Sequence, residues 1–308
     1  MELGQLRALR ELGERGSIAA VAAALHVTPS SVSQQISALQ RHTDTPLTYR
    51  DGRRTALTAA GRALAAAAIG VEVALERAEQ SIADFEAGAA GTVSVAAFHS
   101  AGLAMFGPLL AAVARGWEGR QPDVALTDFD VAQTDFPGLT ADHDLVIAHR
   151  LAGSRKWPSW VRAEPLLFEP LDIALRRDHP LAERASIAPE DLRDEDWVAV
   201  HEGFPLEQAV SVIATIGGLE ARIRHRINDF SVAAAVVAAG NGVALLPRHT
   251  NDLHRRPELV LRPLQLPGLG RHIDCLARPE ALERASVRAV LAHLQTISAD
   301  LLAGAGHR

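Results

Sequence analysis

Between residues 64 and 85 the apolar positions are Leu64, Ala68, Val71, Leu75, Ala78, Ile82 and Phe85. The steps alternate four and three, the a/d spacing of a heptad repeat held for three heptads. A lone helix has nothing to bury such a seam against. The spacing therefore predicts a long helix, about residues 59–87, that pairs with the same helix of a second copy. Thr58 is its N-cap, and Gly88 and Gly91 flank Ala89-Ala90 where it ends in a hinge. This helix divides the chain into a short head and a long body.

The two parts differ in charge. The chain carries −6 overall, which by itself argues against a nucleic-acid partner. Residues 1–62, however, hold eight arginines against five acids, a net of +3, so the rest carries −9. A basic head on an acidic body predicts an anionic partner for the head. At 308 residues the chain suggests two or three domains. One cysteine, Cys275, excludes a disulfide framework and a multi-cysteine zinc site, and fits a reducing cytoplasm. The first residues lack an apolar leader and no apolar run is long enough to span a bilayer, so a cytoplasmic location and no membrane partner are expected.

In the head, Leu3, Leu6, Leu9 and Leu12 form one helical stripe, stopped at Gly16. Ser17 caps a second helix over Ile18–Leu25, and His26-Val27 makes a tight connection. Thr28 caps a third helix, with Pro29 at its first position, that runs to about Arg41. Val32, Ile36 and Leu39 face inward, while Ser30, Gln34, Ser37 and Arg41 point the other way. Asp51-Gly52 between two short extended runs signals a type I′ hairpin. Three helices and a basic hairpin make a winged helix-turn-helix. In such a module the second helix of the motif enters the DNA major groove. Gln34 has the donor and acceptor to meet adenine, and the hydroxyls of Ser30, Ser31, Ser33 and Ser37 reach phosphates or base edges. Thr28 at the helix start suits a phosphate, Arg53 and Arg54 on the wing suit a phosphate or minor groove, and Arg50 braces the wing. The competing reading is a merely solvated polar face and an ordinary charged loop.

From Thr92 short apolar runs alternate with helices. Strands are expected at 93–97, 124–129, 144–148, 171–175, 198–200, 223–227, 243–246, 259–262 and 272–277. Helices are expected at 101–115, 204–216, 230–239 and 283–302, giving an α/β domain long enough for two lobes. In such folds ligands sit beyond strand C-termini. That rule selects Phe98, His99, Ser100, Phe129 with Asp130, His149, His201 with Glu202, Phe204, Asn228 and Phe230. Helix starts at Ser100 and Phe204 favour an anionic group. Each residue equally fits plain loop packing. No nucleophile elbow, phosphate-binding loop or dinucleotide fingerprint is present, and Asp128 with Asp130 lacks a partner base. His249 and His254 are five apart, not the four of a helix-face metal pair, so no metal is expected. Cys275 reads as a small buried residue.

Together these motifs resemble the LysR-type bacterial transcriptional regulators. The likeness rests on Gly16-Ser17-Ile18, Ala22-Ala23, Leu25-His26-Val27-Thr28, Val32-Ser33-Gln34-Gln35-Ile36, Pro46-Leu47 and Leu57-Thr58-Ala59-Ala60-Gly61 in the head. In the body it rests on Arg177-Asp178-His179-Pro180-Leu181 and Ala239-Gly240-Asn241-Gly242-Val243 through Pro247. Pro29, Ile18 and Thr48 depart from the family pattern, which commonly has Gln, Phe and Phe there. The resemblance implies a winged helix-turn-helix over 1–58 and a linker/dimerisation helix and hinge over 59–91. It implies a two-lobed, periplasmic-binding-protein-like (type 2) effector domain over 92–303, with lobe I at about 92–163 and 267–303 and lobe II at about 164–266. It also implies an interrupted palindromic DNA site, a small-molecule effector of unknown identity, no cofactor, a homodimer or homotetramer, and RNA polymerase as a partner. Control by a protein partner without a ligand, a solute-binding protein and an enzyme are the alternatives.

Overall fold

The computed structural model describes residues 1–52, 54–83, 91–115, 122–202, 204, 206–218 and 220–305. In the head, α1 (Leu3–Arg15), α2 (Ile18–Ala24) and α3 (Pro29–Gln40) pack around Leu9, Leu12, Val21, Val32 and Leu39. The capping residues act as the sequence predicts. Ser17 Oγ accepts from Ala20 N at 3.2 Å and Thr28 Oγ1 from Ser31 N at 3.2 Å. His26 takes φ 53°, and Val27 N donates to Ala22 O at 2.9 Å, which turns the chain sharply between α2 and α3.

The wing is an antiparallel pair, β1 (Thr48–Asp51) and β2 (Arg54–Leu57), with Asp51 opposite Arg54. Gly52 at φ 59° supplies the left-handed turn residue that a two-residue hairpin needs. Thr58 Oγ1 accepts from Gly61 N at 3.0 Å and starts α4 (Ala59–Ala83). A Cβ on Gly61 would lie 2.0 Å from the Leu47 carbonyl oxygen, so glycine alone lets α4 lie on the wing. The predicted helix end at 84–87 and Gly88 lie outside the described residues.

The body is one nine-stranded sheet built from two halves that share a single strand. The first half holds β3 (Thr92–Ala97), β4 (Asp123–Asp128) and β5 (Leu145–Leu151), which are parallel, and β11 (Gly270–Ala277), which is antiparallel. The second holds β7 (Asp196–Ala199), β8 (Arg222–Arg226) and β9 (Val243–Pro247), which are parallel, and β10 (Leu259–Arg262). The shared strand is β6 (Arg162–Arg176). Its residues 162–170 pair with β11, and the rest pairs with β9 and β10. The expected strand at 171–175 is thus only the second part of a 15-residue strand that joins two lobes.

Helices α5 (His99–Arg115), α6 (Phe136–Leu139) and α9 (Ala285–Ala305) accompany the first half, and α7 (Glu207–Ile216) and α8 (Phe230–Ala238) the second. Each half has its own core. Val95, Met105, Phe136, Ile147, Ile273 and Val290 belong to one, and Leu171, Ile187, Trp197, Ile213 and Val243 to another. Each such buried side chain contributes about 1.5–3 kcal/mol. Cys275 is fully packed in β11, and burial beside Glu164 pushes its thiol up.

The head is fastened to the first lobe by charge. Arg10 is buried and donates to Glu72 and Glu280, each at 2.6 Å, and to Glu14 at 2.8 Å. Arg278 pairs with Glu11 at 2.8 Å and with Glu14, and Arg15 with Asp142 at 3.0 Å. Among the described residues no helix is long and apolar enough to cross a membrane.

Candidate DNA-reading face and effector cleft

On α3, Val32, Ile36 and Leu39 are buried, and Ser30, Ser33, Gln34 and Ser37 are exposed. Three predicted contacts already have internal work. Thr28 Oγ1 caps the helix and shares a hydrogen bond with Ser30 Oγ at 2.8 Å, and Ser33 Oγ donates to Pro29 O at 3.0 Å. Ser31 is half-buried. The side chains of Gln34 and Ser37 have no partner among the described residues. Arg50 and Arg54 are exposed on the wing and form no ion pair among the described residues, while Arg53 lies outside them. By contrast Arg10 and Arg15 are held by carboxylates, and Arg62 donates to Leu57 O at 2.8 Å. Among the described arginines of the head, Arg41, Arg50 and Arg54 are exposed and free of ion pairs with described residues.

On α4 the seam residues divide. Leu64 and Ala68 pack against the head's own core, Leu75 is half-buried, and Val71 and Ala78 are exposed. The side chain of Ile82, and Phe85 altogether, lie outside the described residues.

Between the two halves of the sheet lies a cavity of about 180 Å³. Its walls come from the C-terminal ends of β3, β4, β7 and β8, where parallel strands with flanking helices leave a crevice. Phe98, His99, Ser100, His149, Phe204, Asn228 and Phe230 line it. Phe129 and His201 do not. Phe129 packs on the first core with its ring 5.3 Å from that of His143, and His201 is exposed, its backbone N donating to Asn228 Oδ1 at 2.9 Å.

Ser100 is not the helix cap expected for it. Helix α5 starts at His99, which carries Ser100 into its first turn and aims the hydroxyl at the cavity floor. There it accepts from Arg271 Nη2 at 2.9 Å and from Thr250 Oγ1 at 3.2 Å. Likewise α7 begins at Glu207, three residues beyond Phe204.

The floor belongs to residues that the sequence reading missed. Arg271 is 2% exposed and its Nη2 lies 2.7 Å from Glu169 Oε2, with Glu169 fully buried. Glu169 also accepts from His249 N at 3.0 Å and from Thr250 N at 2.7 Å. The guanidinium lies 4.7 Å from the Phe98 ring centroid and 5.5 Å from that of Phe230. Asp128, Asp130 and Asp229 stand at the rim. Asp229 Oδ1 caps α8, accepting from Val232 N at 2.8 Å.

His149 sits edge-on to Phe98 and Phe136, at 4.7 and 5.4 Å. Burial, then the nearby Arg271 charge, holds its imidazole well below the usual range, and burial also lowers His143 and His249. The His149 ring stays neutral in the folded chain, while in the unfolded chain it binds a proton near pH 6.5. Below that pH the unfolded state binds more protons, so stability falls with pH. The denaturation midpoint is expected to be lower at pH 5.5 than at pH 7.5, and His149→Phe is expected to flatten the slope. An unchanged slope in that variant would assign the acid sensitivity elsewhere.

The comparisons agree with this architecture. A family model described as "Bacterial regulatory helix-turn-helix protein, lysR family" matches residues 3–62, and one described as "LysR substrate binding domain" matches residues 86–298. The chain is 27% identical to a probable nitrogen assimilation transcriptional activator of Synechococcus elongatus, over 94% of this chain and 92% of that one. Its fold is similar to that of a full-length OxyR variant from Pseudomonas aeruginosa, with TM-score 0.64, 21% identity and coverage of 97% and 94%. CbnR bound to its target DNA gives TM-score 0.52, 24% identity and coverage of 97% and 100%. With both family models in chain order over head and body, the chain belongs to the LysR family of DNA-binding transcriptional regulators, with an N-terminal helix-turn-helix and a C-terminal substrate-binding effector domain.

Proposed function

We propose that this regulator reads two half-sites of an interrupted palindrome with two heads paired through α4, and that a small molecule in the cleft shifts how subunits pack on DNA. The carrying observation is the α3 face, where Gln34 and Ser37 are exposed and, like the wing arginines Arg50 and Arg54, have no side-chain partner among the described residues. Gln34 reads a base edge. Ser30, Ser31, Ser33 and Ser37 let the helix lie deep, and Thr28, Arg50, Arg53 and Arg54 hold the backbone. The functional units follow the boundaries 1–58, 59–91 and 92–303. Exposed Leu103 and Leu110 on α5, and Val212 and Ile216 on α7, are further apolar faces for assembly into a homodimer or homotetramer. A bound assembly acts on RNA polymerase at the promoter.

A salt-titrated binding series on promoter DNA tests the DNA-reading half. Gln34→Ala is expected to weaken binding at one base position by about 1–3 kcal/mol, and Arg54→Ala to weaken all sequences alike and lower the salt slope by about one. If neither variant changes affinity or slope, α3 and the wing are not the reading surface.

A further inference from the structure

We infer that the cleft takes an organic cation, a small amine on an apolar or aromatic body, with its ammonium beside His99 against the Asp128 and Asp229 carboxylates and its body against the Phe98, Phe204 and Phe230 rings. This rests on the reading of the cleft as the effector site. It reverses the anionic preference that the helix starts alone suggest.

The argument is one of charge and unfilled hydrogen bonds. Three carboxylates line the cavity, Asp128 and Asp130 from one lobe and Asp229 from the other. The cation on its floor, Arg271, is already matched by the buried Glu169. An incoming carboxylate would find no unneutralised positive charge and three negative ones. An ammonium finds the reverse, beside the Phe204 ring whose quadrupole favours a cation, the Phe98 and Phe230 rings already facing Arg271.

The rim shows the same demand. His99 Nδ1 lies 3.4 Å from Asp128 Oδ2, and His99 Nε2 lies 3.4 Å from Asp229 Oδ2. One ring spans both carboxylates and reaches each only at 3.4 Å, longer than a charge-assisted hydrogen bond, so both keep acceptor capacity for an ammonium. Deeper in, His149 is a cavity-lining ring whose Nδ1 is buried with no hydrogen-bond partner. An unpartnered buried nitrogen is costly unless something fills it. Because Asp128 and Asp229 come from opposite lobes, an ammonium beside His99 that binds an oxygen of each ties the lobes together, which is the differential contact a ligand needs to shift a conformational equilibrium.

The test is binding to the full-length protein by thermal shift and calorimetry with charge-opposed probes of similar shape. Benzylamine and phenethylamine are set against benzoate and phenylacetate at millimolar concentration. The amines are expected to raise the melting temperature in a saturable way, and the carboxylates to leave it unchanged. The double variant Asp128→Asn/Asp229→Asn keeps the α8 cap and removes both charges. It is expected to bind the amines at least about tenfold more weakly. Phe204→Ala separates this proposal from the reading beneath it. If carboxylates bind as well as amines and both are weakened by Phe204→Ala, the cleft stands and the cation preference is overturned. If neither amine binds, or the Asn pair binds amines as wild type does, the proposal is likewise overturned. If ligands bind but Phe204→Ala changes none of them, the cleft itself is not the site.

Discussion

Glu169→Ala is expected to destabilise the effector domain by about 3–5 kcal/mol, because it strands the buried Arg271 guanidinium without its carboxylate. Both partners are essentially inaccessible, and Glu169 Oε2 accepts from Arg271 Nε at 2.9 Å and from Nη2 at 2.7 Å. The same carboxylate accepts from His249 N and Thr250 N, so its loss leaves those donors unpaired too. Glu169→Gln keeps an acceptor oxygen without the charge and is expected to fall between wild type and alanine. The double variant Glu169→Met/Arg271→Met is expected to recover much of the loss, since a buried pair replaced by apolar groups of similar volume is often neutral. Urea unfolding midpoints at constant slope are the measurement. A Glu169→Ala midpoint within error of wild type would mean that the guanidinium finds another partner or water.

This pair also shows where the sequence stops speaking. The head was legible because its signals are local. Ser17, Thr28 and Thr58 cap the helices that follow them, and Asp51-Gly52 lies at a two-residue hairpin turn. The crevice was partly legible because strand C-termini select residues by topology alone, and Phe98 to Ser100 follow β3 directly. The same rule over-selects, since Phe129 and His201 also follow strands but their side chains lie off the cavity. Glu169 and Arg271 are 102 residues apart, and no local pattern joins them. The first part of β6 carries Pro165 and Pro170, a residue type that ordinarily interrupts strands. In the structure Pro165 lies opposite Asp274 at a register shift, and Pro170 ends the pairing with β11, so each sits where a missing N–H is tolerated.

Val71→Glu is expected to separate the subunits and cost about 10²–10⁴ in affinity for a two-half-site operator, while a single half-site is bound as before. Val71 lies on the α4 seam and is 46% exposed, so within one subunit the substitution disturbs little packing. Across a paired helix it opposes one carboxylate with another and removes two apolar side chains from the seam. The effect is large because each head is weak alone. Its formal +3 includes Arg10 and Arg15, both held by carboxylates, and Arg62, which braces the wing. What remains for phosphates is a few arginines per head, and affinity from so few contacts collapses with salt. Linking two heads makes the second contact intramolecular, at an effective concentration in the millimolar range. Light scattering is expected to report at most half the wild-type mass, and binding to two-site DNA to lose its advantage over one-site DNA. Ala78→Glu, one heptad further along the same exposed stripe, should act alike. A variant with unchanged mass and unchanged two-site affinity would move the pairing surface off α4, leaving the exposed leucines of α5 and the Val212–Ile216 face of α7 to hold the subunits together.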